Sequence, residues 1–146
     1  MRQPQRRALK GVQMLRGLTT VSFWAADLVA AEAWYTELLG IAPYFRRPGY
    51  IEFRLGDDQH ELGIIDSRYA PSDWKASVTG AIVYWHVDDV AAAFAKLLAL
   101  GAKAHMPITE RGVGFVTASI VDPFGNTLGI MYNAHYLATV NARQPV

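Results

Sequence analysis

The chain has 146 residues, 51% of them hydrophobic, and a formal net charge of +1. That is enough for one compact domain or two closely packed half-modules, and so small a charge leaves no electrostatic footprint for nucleic acid. The absence of cysteine excludes disulfides and thiolate metal sites, and no apolar run approaches the ~20 residues of a membrane span.

Residues 1–13 carry Arg2, Arg6, Arg7 and Lys10 without clear periodicity. They read as a disordered basic leader, with a nucleic-acid arm as the alternative and Met14 as a candidate true start. No continuous apolar segment marks a signal peptide, so a soluble cytoplasmic protein is the expectation.

Residues 18–24 alternate apolar and polar side chains and predict a strand. Asp27 is a good N-cap for a helix carrying Leu28, Ala31, Trp34, Tyr35, Leu38 and Leu39 at helical spacing, and Gly40 is a natural stop. A short strand is expected over 42–45 and a turn over 46–49. In 50–55, Ile51, Phe53 and Leu55 share one face while Tyr50, Glu52 and Arg54 share the other. A hairpin turn over 56–59 leads to a strand over 61–65, which completes βαβββ. The connection over 66–79 is polar and contains Pro71, with Tyr69 and Trp74 as its large aromatics. It reads as a linker or as a loop folded over a pocket.

The plan then repeats. A strand is predicted over 81–87, and Asp88 or Asp89 caps a helix with Val90, Phe94, Leu97 and Leu98 on its apolar face. Gly101 ends it. A short strand over 103–108 is broken by Pro107, a turn is expected over 109–114 and a strand over 115–121. Asp122-Pro123-Phe124-Gly125-Asn126 is a tight turn into the last strand. That strand holds Leu128-Gly129-Ile130, an echo of Leu62-Gly63-Ile64. The offset between units is about 62 residues at the first strand and about 66 at the last. His135, Tyr136 and Leu137 lie in a tail with a short helix.

Two βαβββ units, the Asp-capped helix with Trp34-Tyr35 and Leu38-Leu39-Gly40, the entry Val87-Asp88-Asp89 and the Asp-Pro-x-Gly-Asn turn resemble the vicinal oxygen chelate superfamily. This superfamily unites glyoxalase, bleomycin-resistance and extradiol dioxygenase proteins. The resemblance spans about residues 15–132. It implies an α+β fold of two βαβββ modules whose curled mixed sheets enclose a cavity. Activity does not follow from it, because the fold hosts both catalysts and passive binders. The implied organisation is a leader over 1–13 and one domain over 14–140, with a C-terminal tail over 133–146. Within the domain, module one covers 15–66, a linker 67–79 and module two 80–132. Homodimers are common in the family, so a homodimer is expected.

In metal-dependent relatives four ligands come from the first and last strands of each module. The matching positions here are Thr20, Gly63, Ile82 and Gly129. None is a histidine or a carboxylate, and a one-residue slip to Thr19, Leu62, Ala81 and Leu128 is no better. The expectation is therefore no metal and no cofactor, with the two glycines leaving room for an organic ligand.

Strand alternation turns Val21, Phe23, Val83 and Trp85 toward the helices, and Ser22, Trp24, Tyr84 and His86 toward the cavity. Glu52, Arg54, Glu61, Thr117, Ser119 and Met131 follow the cavity face. The candidate catalytic residues are His86 and Glu61. The candidate ligand-binding residues are Trp24, Tyr84, Met131, Arg54, Glu52, Ser22, Thr20 and Ser119. His86 has the chemistry of a general acid or base, against a plainly structural role near a strand end. Glu61 is a partner for His86 or for a cationic ligand group, or a solvated carboxylate. Glu52 and Arg54 either orient a ligand or pair with each other, and Trp24, Tyr84 and Met131 either stack on a flat ligand or belong to the core. Trp24 and His86 align at the first-strand offset and are expected to face the same cavity. His60 is expected at the surface.

The reading that results is a metal-independent protein that binds a small organic molecule between its modules. The alternatives are a lyase or isomerase using His86, and a metal-dependent glyoxalase or dioxygenase.

Overall fold

The structure, a computed structural model, describes residues 13–143. The leader read at 1–13 lies outside the described residues apart from Gln13.

Module one comprises β1 (Thr20–Ala25), α1 (Leu28–Leu39), β2 (Phe45–Arg47), β3 (Tyr50–Leu55) and β4 (His60–Asp66). Module two comprises β5 (Val83–His86), α2 (Val90–Ala99), β6 (Lys103–Gly112), β7 (Phe115–Val121) and β8 (Thr127–Asn133), and α3 (Ala134–Arg143) follows directly. Each module forms its own four-stranded sheet, ordered β1-β4-β3-β2 and β5-β8-β7-β6. In each sheet the first and last strands pair in parallel and the remaining pairs are antiparallel. The fold is α+β with two βαβββ modules, as the repeat predicts. The two sheets stay separate and open.

The register makes the repeat residue-specific. Ser22 pairs with Gly63 in one sheet and Tyr84 with Gly129 in the other. Trp24 pairs with Ile65, and His86 with Met131. Trp24 and His86 are therefore equivalent, as are Gly63 and Gly129.

Local chemistry places the helices. Asp27 accepts from Ala30 N at 3.0 Å at the start of α1, and Asp89 accepts from Ala92 N at 2.9 Å at the start of α2. The second cap is thus Asp89 and not Asp88. Gly40 ends α1 at φ 69°, bonded to Thr36 O, a left-handed conformation that costs glycine little.

Two strands depart from the sequence reading. β2 starts at Phe45, because Pro43 has no N–H to offer and Tyr44 N–H reaches Glu52 O as the first rung. β6 runs on to Gly112, through residues read as a turn. It lies at the sheet edge, where Pro107 interrupts only one side of the ladder, and its register shifts absorb the irregularity.

Ala31, Tyr35, Phe53, Leu62 and Ile64 of module one and Leu97, Ala118, Ile120, Leu128 and Ile130 of module two belong to one continuous buried cluster. The core therefore lies between each sheet and its helix and continues across the module boundary. Among the described residues no helix is long and apolar enough to cross a membrane.

Candidate functional site

The sheet faces turned away from the helices carry most of the side chains singled out in the sequence. In module one they form rows: Thr20–Glu61–Arg54, Ser22–Gly63–Glu52 and Trp24–Ile65–Tyr50. Their polar groups are engaged with one another. Thr20 Oγ1 donates to Glu61 Oε2 at 2.7 Å, Arg54 Nη2 lies 3.5 Å from Glu61 Oε1, and Tyr50 donates to Glu52 Oε1 at 2.7 Å. Burial, then the Glu52 bond, pushes the Tyr50 phenol up to about 12. The Arg54 guanidinium sits 3.8 Å over the Tyr44 ring. Ser22 is exposed. Trp24 packs on Trp74 at 5.8 Å, so the linker does fold back over this face.

In module two the rows are Tyr84–Gly129–Ser119 and His86–Met131–Thr117. Ser119 is fully buried, with its hydroxyl held by His105 Nδ1 at 2.9 Å and by Met106 N–H at 3.2 Å. It is a fastener for β6.

The two glycines leave no free space for a ligand. A Cβ on Gly63 would lie 2.7 Å from Tyr50 Oη, and one on Gly129 would lie 2.6 Å from Tyr84 Cδ1. Each glycine admits a tyrosine of its own sheet, a close approach that any side chain would block. The same geometry bears on a metal at Thr20, Gly63, Ile82 and Gly129. Two positions have no side chain, one is a hydrocarbon, and the remaining hydroxyl already donates to Glu61. These residues do not fit a divalent ion, which needs several converging nitrogen or oxygen donors. Among the described residues no three His, Cys, Asp or Glu side chains are grouped to hold a metal elsewhere.

A cavity of about 460 Å³ lies between the modules. β5 is the edge strand of its sheet and contributes both faces, Tyr84 and His86 from one and Val83 and Trp85 from the other. Opposite stand Leu38 and Leu39 of α1, Leu62, and the turn Gly56-Asp57 with His60. Leu97 of α2, with Leu128 and Ile130 of β8, completes a mostly apolar wall. Of the residues singled out in the sequence, Tyr84, His86 and Met131 line this cavity. Trp24, Glu61, Arg54, Glu52, Ser22, Thr20 and Ser119 do not. Trp24 and His86 thus share a register position but not a cavity.

His86 is tightly placed. Its Nδ1 accepts from Asn133 N–H at 3.2 Å, and Nε2 lies 3.3 Å from Asp88 Oδ1. A ring whose Nδ1 accepts carries its proton on Nε2. The Tyr136 ring stacks on it at 4.8 Å and 16°. Tyr136 in turn donates to Asp57 Oδ2 at 2.5 Å, and Arg143 forms a two-pronged pair with Asp58 at 2.9 and 3.2 Å. α3 therefore straps the β3–β4 turn and forms one side of the cavity mouth. The Asp57 bond, helped by burial, pushes the Tyr136 phenol up to about 12, and the Arg143 bond holds the Asp58 carboxyl below its usual range.

The repeat is broken at the cavity. At the module boundary Tyr35, itself one of the cavity-lining residues, donates to Asp122 Oδ2 at 2.5 Å, and Asn126 bonds both Trp24 N and Trp24 O. At the repeat offsets, Tyr35 corresponds to Leu97, Asp122 to Gly56 and Asn126 to His60. Leu97, Gly56 and His60 all line the cavity. Where one interface is filled by a phenol ring and a carboxylate, its counterpart has a leucine and a glycine. His60, expected at the surface, is half-buried beside Trp85, their rings 6.4 Å apart. Leu97, Gly56, Asp57, Lys96 and Tyr136 were not singled out as site residues in the sequence. The signal that finds the first two is the mismatch between aligned repeats.

Comparison with known proteins agrees with this architecture. The family model of the glyoxalase/bleomycin resistance protein/dioxygenase superfamily matches residues 17–130. No curated protein matches the chain in sequence. Among solved structures, a glyoxalase-related enzyme from Fulvimarina pelagi is 24% identical, with a TM-score of 0.65 over 82% of this chain and 89% of that one. Lactoylglutathione lyase from Agrobacterium tumefaciens is 21% identical, with a TM-score of 0.62 over 83% and 96%. The bleomycin resistance determinant encoded on transposon Tn5 is 22% identical, with a TM-score of 0.60 over 81% and 98%. At these identities the structural likeness speaks to fold alone. With the matched family model, the paired βαβββ sheets and the Asp122 turn, the chain belongs to the glyoxalase/bleomycin resistance protein/dioxygenase superfamily.

Proposed function

We propose that this protein binds a small organic molecule, without a bound metal, in the cavity between its two modules. The observation that carries the proposal is that cavity. Its volume of about 460 Å³ falls within the range of small-molecule sites, and its wall is aliphatic and aromatic with few polar groups. Tyr84, His86 and Met131 supply contacts from module two, and the β3–β4 turn supplies them from module one. Thr20 and Arg54 engage Glu61, and Tyr50 engages Glu52, on the outer face, so their part in this reading is to hold β1, β3 and β4 in register. The protein is expected to act as a homodimer and as a binder rather than a catalyst.

A second reading, a lyase or isomerase, is favoured by one feature. His86 stands at the cavity wall, and the partner of its Nε2–H, Asp88, is 94% exposed and free to give way to a ligand. In that case turnover of a cavity-bound substrate is lost in His86→Ala while binding persists.

The test is a thermal-shift screen of small aromatic and aliphatic compounds on the wild type and on Leu97→Phe, with elemental analysis of the purified protein. Stabilising compounds that lose their effect in Leu97→Phe support the cavity. Hits indifferent to Leu97 overturn it, and stoichiometric metal overturns the metal-free reading.

A further inference from the structure

We propose that the ligand of the inter-module cavity is a small phenol, seated as the counterpart of the Tyr35 side chain with its hydroxyl directed to His60. The inference rests on the cavity being the binding site and goes beyond it by naming the chemical class.

On the filled side of the repeat the chain supplies its own phenol. The Tyr35 ring is 1% exposed and is walled by Phe23, Trp34 and Phe53, at centroid distances of 6.3, 4.8 and 6.4 Å. Its hydroxyl points at the Asp122–Asn126 turn. At the repeat-equivalent place the backbone frame is the same, with a helix over a parallel strand pair and a turn from the opposite module, and the cavity there is bordered by Tyr35 as well as by Leu97. Leu97 replaces Tyr35 there, Lys96 replaces Trp34, and Ile120, which pairs with Leu128 as Phe53 pairs with Leu62, replaces Phe53. Only Trp85, in place of Phe23, is larger. Of the three smaller replacements Leu97 and Lys96 line the cavity, and with Trp85 on its wall the space suits an aromatic ring.

The polar requirement follows from the turn. A ring lying as Tyr35 lies directs its hydroxyl toward the Gly56–His60 turn. Gly56 has no side chain, and Asp57 is engaged by Tyr136. His60 makes no hydrogen bond to any described residue, is half-buried, and lines the cavity. Its neutral ring offers one donor and one acceptor, so it can answer a hydroxyl in either sense. Charge is not selected, because Lys96 and Asp57 at the rim have opposite signs. The Trp85 indole N–H, also on a cavity-lining residue, is buried without a partner among the described residues, but it can only donate, whereas His60 can answer a hydroxyl as donor or acceptor. A ligand hydroxyl left without any partner would lose hydration on entry.

The probes are p-cresol, which is the tyrosine side chain as a free molecule, and toluene, which lacks only the hydroxyl. Binding is measured by ligand-observed NMR and calorimetry on the full chain. Wild type is expected to bind p-cresol about tenfold more tightly than toluene, the worth of one hydrogen bond. His60→Ala is expected to reverse or abolish that preference while still binding toluene, and Leu97→Tyr, which supplies the chain's own phenol, to bind neither. Intermolecular contacts from the p-cresol ring to the Leu97 methyls and the His60 ring give the same answer in wild type, independently of whether either variant folds. Equal or tighter binding of toluene, with both lost in Leu97→Tyr, would overturn the phenol assignment and leave the cavity as a binding site. No binding of either probe to wild type at millimolar concentration would overturn both.

Discussion

Trp34 and Lys96 make the same contact in opposite directions. The Trp34 indole N–H donates to Leu100 O at 2.7 Å, and the Lys96 ammonium donates to Leu38 O at 3.1 Å. The same offset of 62 residues separates Trp34 from Lys96 and Leu38 from Leu100. Each helix thus hands one donor to a carbonyl at the C-terminal end of the other, where the last turn lacks backbone partners. The chemistry differs even though the geometry repeats. Trp34 is half-buried, and Lys96 is exposed. Trp34→Phe keeps an aromatic ring but removes the donor and part of the packed indole, and it is expected to cost about 2 kcal/mol. Lys96→Met is expected to cost less than about 0.5 kcal/mol, because water replaces its contact. Urea denaturation of the two variants checks the difference, and equal costs would contradict the burial argument.

The filled interface is expected to dominate stability. The Asp122 carboxylate is 4% exposed and accepts from Tyr35, from Asn126 Nδ2 and from the backbone N–H groups of Phe124 and Asn126. Tyr35→Phe should destabilise by about 2 kcal/mol, since a buried carboxylate loses a donor. Asn126→Ala should cost about 2–3 kcal/mol, because it also frees Trp24 N and O. His60→Ala, at the corresponding place on the open side, should stay within about 0.5 kcal/mol of wild type. Chemical denaturation of the three variants gives the comparison.

Stability should fall at alkaline pH. Tyr50 and Tyr136 ionise at about 12 in the folded chain, against an ordinary value of 10.0. Between these values the unfolded phenols have lost protons that the folded ones retain. The folded state binds more protons there, so stability decreases as pH rises. The contribution is whole below pH 10 and is lost through about 12. Melting temperature is expected to drop across that window, and the drop should shrink in a Tyr50→Phe, Tyr136→Phe double variant. An unchanged drop would assign it to other groups.

Self-association is expected through exposed sheet edges. β6 is an edge strand, and Met106, Ile108 and, in the β6–β7 turn, Val113 are exposed at 40%, 43% and 108%. An edge with apolar side chains invites pairing. Light scattering should report a dimer, and Met106→Glu with Ile108→Glu should yield monomer with an unchanged far-ultraviolet spectrum. A dimer that survives the double substitution places the interface elsewhere.

The sequence by itself determined the modules. The Asp27 cap, a second cap at Asp88 or Asp89, helical spacing from Leu28 to Leu39, period-two alternation in 50–55 and the doubled Leu-Gly-Ile strands are local signals, and local signals define elements. The faces were legible for the same reason, because alternation along a strand needs no partner to be known. What the tertiary structure alone decided is where the space lies. Gly63 and Gly129 look like room in a string of residues, but Tyr50 and Tyr84 fill that room from neighbouring positions in the sheet. The cavity lies instead where Leu97 and Gly56, from different modules, come to line one space once the two modules pack together. A pattern along the chain reports which way a side chain points. Whether that direction ends in a neighbour or in a void depends on contacts between residues dozens of positions apart, and packing is a property of volumes brought together by the fold.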